Sequence, residues 1–146
     1  MESIYQLSLL CLFVGGGISD VMKREVKDEL TIALWLMCAF LLSPSTLQLL
    51  ILSFCLVWAI AILGEKFKIQ VFGWGDVLWG APFIGIASGF AGAKTAFVLF
   101  GLCFVAGQAY LHWQCKIKNI PKEKVRGVPF VAYLAFALLL SMMMAL

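Results

Sequence analysis

The chain has 146 residues, 63% of them hydrophobic, with a mean hydropathy of +1.00. A water-soluble domain is about half apolar, so the surplus excludes the soluble classes and asks for lipid as solvent. The formal net charge of +3 is too small to argue for nucleic acid.

At roughly 20 residues per crossing, about six membrane helices fit, with short loops. That makes one domain, residues 1–146, with no room for a second. The first apolar segment runs from Ile4 to Ile18 and ends in Gly15-Gly16-Gly17, where backbones can approach closely. A polar loop follows from Ser19 to Glu29. Leu30 to Leu42 is a short second segment that runs on through Ser43, and Ser43-Pro44-Ser45-Thr46 is an uncharged turn. Leu47 to Leu63 is the third segment. The loop from Gly64 to Asp76 contains Gly73-Trp74-Gly75-Asp76. Val77 to Ala91 is the fourth segment, with Pro82 and the packing pattern Gly85-x-x-x-Gly89. Gly92-Ala93-Lys94 turns the chain into Thr95 to Trp113, a third polar loop covers Gln114 to Gly127, and Val128 to Leu146 is the sixth segment. Trp74, Trp79 and Trp113 fit an aromatic belt at the membrane interface.

The cations set the orientation. Of the 11 basic residues, Lys94 alone falls outside the first, second and third polar loops. By the positive-inside rule those loops are cytoplasmic. The fold expected is therefore an all-α integral membrane bundle of six transmembrane helices, with both termini on the non-cytoplasmic side. No cleavable signal peptide is expected, since the start lacks a basic n-region and an A-x-A site. The five cysteines are Cys11, Cys38, Cys55, Cys103 and Cys115. They form no CxxC pair, so neither a disulfide framework nor a metal site is expected, and the four in apolar segments read as small packing residues.

Two carboxylates stand apart from the rest. Asp20 and Asp76 each abut an apolar segment on the cytoplasmic rim, where an ionisable group is costly and points to function. Asp76 is well placed to cap a helix starting at Val77. Asp20 sits at a helix C-terminus, where the dipole disfavours an anion, unless it caps the next helix. If the two meet, both cannot readily ionise, and one keeps a proton. The charged one would take a proton from water as it attacks a peptide carbonyl, and the neutral one would protonate the developing oxyanion or leaving amine. The glycines before Asp76 would let a substrate backbone approach.

In these residues the chain resembles the type IV prepilin peptidases, membrane aspartyl proteases that include the preflagellin peptidases. The family's GxGD appears as Gly73-Trp74-Gly75-Asp76. Its D-x-x-x-R-x-I-P-N-x-L-T is matched by Asp20, Arg24, Leu30 and Thr31, with Val26 for Ile, Lys27 for Pro and Asp28 for Asn. Val128-Pro129-Phe130-Val131-Ala132-Tyr133-Leu134-Ala135 resembles its IPFGPFLA, with Val131 and Ala132 replacing Gly and Pro. A departure is Leu78, where bacterial members usually have Lys.

The resemblance implies an intramembrane aspartyl endopeptidase of the cytoplasmic (inner) membrane that cuts the leader of prepilin-like precursors. Asp20 and Asp76 are the expected catalytic pair, with Gly73, Gly75 and Arg24 on the substrate side and no metal or cofactor. Larger members carry a zinc-binding extension linked to N-methylation, which is not seen here, so peptidase activity alone is expected. Leaders in this family are basic, so Glu25, Asp28, Glu29 and Glu65 suit them better than the loop cations do. His112 reads as a polar tip reaching the interface. The competing reading is a membrane transporter or pilus-assembly protein that uses the two aspartates as proton, ion or binding sites. Transporters often show internal repeats, and none is evident here.

Overall fold

The computed structural model describes residues 2–23, 26–67, 74–119 and 128–145. These form six helices: α1 (Glu2–Lys23), α2 (Asp28–Leu41), α3 (Pro44–Lys66), α4 (Trp74–Ala91), α5 (Ala93–Lys116) and α6 (Phe130–Met144). Helix is what an apolar chain adopts in hydrocarbon, because every backbone N–H and C=O is then satisfied within its own segment.

Local chemistry moves several ends from where hydropathy places them. Ser43 starts α3 early: its Oγ accepts the Thr46 N–H at 3.4 Å, and Thr46 Oγ1 donates to the Ser43 carbonyl at 2.9 Å. Pro44 then occupies the first helical position, where its missing N–H costs nothing. The turn between α4 and α5 shrinks to Gly92 alone. Its φ of 83° is left-handed, and its N–H reaches the Ser88 carbonyl at 3.0 Å. α1 runs past Ile18 to Lys23, so Asp20 lies in its last turn rather than in a loop.

Three helices, within α1, α3 and α5, are long and apolar enough to cross a membrane: Tyr5–Lys23, Pro44–Gly64 and Ala93–Lys116. Their outward residues, such as Leu52, Leu56, Val98, Leu102 and Val105, are exposed, as a multi-pass membrane protein requires. With 14 and 15 residues, α2 and α6 span only about 21–23 Å at 1.5 Å per residue.

α4 is the centre of the bundle. It packs against α2, α3, α5 and α6, while α1 packs against α6 and α2. Residues from Val77 to Ala87 are buried almost without break, with Leu78 the half-buried member. A helix apolar all round belongs at the centre, and small residues let its neighbours close on it. A Cβ on Gly85 would lie 2.9 Å from the Leu50 side chain, and one on Gly80 would lie 2.7 Å from the Phe100 ring. Gly89, the second glycine of the expected packing pattern, is exposed and meets only Thr46, at 3.9 Å.

Candidate active site

The last two turns of α1 have no room for side chains on one side. A Cβ on Gly16 would lie 2.4 Å from the Trp79 ring, and one on Gly17 would lie 3.1 Å from the Ala132 Cα. Gly16 thus admits α4 and Gly17 admits α6, whereas Gly15 faces open space. One turn on, Asp20 is 8% exposed, and its Oδ2 accepts the Val131 N–H at 2.9 Å. Val131 is the second residue of α6, so Asp20 satisfies one of the amides that a helix start leaves without an intrahelical partner. This corrects the reading of Asp20 as a cap for the next helix. α2 has Lys27 at its cap position and no side-chain cap; it is α6 whose positive end meets the carboxylate.

Asp76 is half-buried in the first turn of α4. The helix begins at Trp74, three residues before the expected start at Val77, so Asp76 is not the cap preceding it. An acid in a first turn is still favoured by the helix dipole.

Side-chain contacts between α1 and α4 give the sense in which the two helices run. The Phe13 ring lies 5.2 Å from Trp79 and 6.4 Å from Phe83, both edge-on, and Gly16 touches Trp79. Ascending α1 therefore meets descending α4, and the pair is antiparallel. Seven residues are nearly two helical turns. Asp20 thus continues the stripe of Phe13, and Asp76 continues that of Phe83. Extended by those seven residues on each helix, the antiparallel course runs Asp20 and Asp76 toward the same end of the pair. A circuit of contacts closes on that side of the bundle: Asp20 to Val131, Phe130 to Phe100 at 5.8 Å, Phe100 to Gly80, and Trp79 to Gly16.

Trp79 is fully buried, so it does not belong to an interfacial belt. Its Nε1 donates to Thr31 Oγ1 at 2.9 Å, which gives a role to the threonine of the first motif. A second indole, that of Trp35 on α2, bonds to the backbone of α4. Pro82 has no N–H for the carbonyl four residues back, that of Leu78. Trp35 Nε1 donates to that carbonyl at 2.9 Å. The residue at position 78 is thus half-buried and its backbone is engaged.

Gly75 is exposed, and among the described residues nothing lies within 4 Å of where its Cβ would sit. Arg24 and Gly73 lie outside the described residues, as do Glu25 and the side chains of Glu65 and Trp74. Asp28 and Glu29 are exposed in the first turn of α2, and His112 is exposed near the end of α5. Cys11, Cys38, Cys55, Cys103 and Cys115 are free thiols. Among the described residues no three His, Cys, Asp or Glu side chains gather as a metal site would need. No family model, curated protein or solved structure matches the chain.

Sequence reasoning did not single out the Val131 amide or the pairing of Trp79 with Thr31. A backbone donor has no side-chain signature. The signal for Trp79 was its place in a segment rich in small residues, which marks a central helix.

Proposed function

We propose that the chain is a six-span intramembrane aspartyl endopeptidase that removes the leader from type IV prepilin-like precursors at the cytoplasmic face of the membrane. The observation that supports this reading is the antiparallel course of α1 and α4 where Phe13 and Gly16 meet Trp79 and Phe83, which runs Asp20 and Asp76 toward one end. The motif resemblance supplies the substrate class, and the distribution of cations supplies the side of the membrane.

In the reaction the charged carboxylate accepts a proton from water as the water oxygen bonds to the scissile carbonyl carbon. The neutral carboxyl gives its proton to the carbonyl oxygen. On collapse the C–N bond breaks, the carboxyl that took water's proton passes it to the leaving amine, and a hydroxyl of the tetrahedral species returns its proton to the other carboxylate as the new acid forms. Exposed Asp28 and Glu29 attract the basic leader, and the open face of Gly75 takes the unwound chain.

Co-expression with a prepilin tests this. Wild type yields the shortened pilin, and Asp20→Asn and Asp76→Asn each leave the precursor whole. Full processing by both variants refutes the assignment. Ion- or proton-coupled uptake that needs Asp20, with no cleavage, supports the transporter reading instead.

A further inference from the structure

We infer that the backbone amide of Val131, seated by Gly17, is the positioning group for Asp20, and that the third motif, from Val128 to Ala135, serves the reaction through this amide; the inference rests on the peptidase reading above. A carboxylate at the end of α1 has free rotation about χ1 and χ2 unless something fixes it, and α1's own dipole works against its charge there. The Val131 N–H fixes one oxygen at 2.9 Å, in a place where Asp20 is 8% exposed.

Two features hold the donor still. Val131 is itself buried, and its neighbour Phe130 is clamped edge-on against Phe100 at 5.8 Å. Gly17 lets the backbone of α6 come within 3.1 Å of where its Cβ would sit, so the separation of α1 and α6 is set by backbone against backbone. The hydrogen bond uses main chain alone. The side chain at 131 can therefore differ from the family's glycine without changing the donor.

The clean test removes only the N–H, by incorporating the α-hydroxy analogue of valine at position 131 through nonsense suppression. Cleavage of a prepilin peptide is then followed in proteoliposomes. The expected result is a fall in kcat of about ten- to a hundredfold with KM within about twofold, the pattern of a misplaced reacting group. The same ester change at Leu139, which is exposed in the middle of α6, weakens the helix without touching Asp20 and leaves kcat alone. Gly17→Ala provides an independent reading, because its Cβ displaces α6 while keeping the donor. It too lowers kcat more than it raises KM.

An unchanged kcat in the Val131 ester overturns the inference, as does an equal loss in the Leu139 ester. Should the ester bundle fail to assemble, a wild-type kcat in Gly17→Ala overturns it. If wild type itself does not cut the peptide, the peptidase reading fails. If wild type cuts and the Val131 ester cuts equally well, the positioning role alone fails.

Discussion

Trp35→Phe tests whether one indole stands in for the amide that Pro82 lacks. The substitution keeps an aromatic ring against Phe54, with which Trp35 packs edge-on at 5.4 Å, and deletes the donor 2.9 Å from the Leu78 carbonyl. Leaving a buried acceptor unsatisfied costs about 1–3 kcal/mol. Interhelical hydrogen bonds in membranes average only about 0.6 kcal/mol, up to about 1.7, because the unfolded chain in lipid finds other partners. The Leu78 carbonyl has no amide at position 82 to fall back on, so the upper part of that range applies, about 1–1.5 kcal/mol. Pro82→Ala restores an N–H there. In that background Trp35→Phe should cost only its lost packing.

The difference between backgrounds isolates the hydrogen bond. For a chain of this size it corresponds to about 2–6 °C in Tm. Thermal unfolding in detergent, followed with a thiol-reactive dye, reads it directly. Cys38 on α2 and Cys103 on α5 are buried and react only on opening, whereas exposed Cys11 and Cys55 set the baseline. Equal Tm losses from Trp35→Phe in the two backgrounds would refute the reasoning.

The other predictions concern the walls of the site. Thr31→Val is nearly isosteric but strands the Nε1 of a fully buried Trp79; it should destabilise by about 1–2 kcal/mol in the same assay. Gly16→Ala should cost about 1–3 kcal/mol, because Trp79 is held by Thr31 and Phe13 and has nowhere to move. Gly75→Ala meets open space among the described residues, so stability should stay within about 0.5 kcal/mol of wild type. On the peptidase reading its cost is a higher KM for the prepilin.

Hydropathy was enough to find all six helices in order, because a long apolar run in lipid has no alternative to helix. It could not set their ends. α3 begins at Pro44 because Ser43 and Thr46 bond each other there, and α1 continues to Lys23, five residues past the apolar run that ends at Ile18. Asp20 and Asp76 were legible because a carboxylate beside an apolar run is rare. Their partners were less so. Asp20 meets an amide 111 positions away, and no local pattern encodes that. Trp79 misled because position along a helix gives depth but not direction. Burial on every side of α4 turned its indole inward, away from the interface.

The bond between Asp20 and Val131 also orders events in time. Asp20 belongs to α1 and Val131 to α6, 111 residues further along the chain. Until residue 131 has been synthesised and α6 has settled beside α1, Asp20 lacks the donor that orients it. On the peptidase reading, the half-made chain spends its insertion among other nascent membrane proteins without a working pair. On that reading the site is completed only when α6 is in place, so the order of translation itself would keep it silent until then.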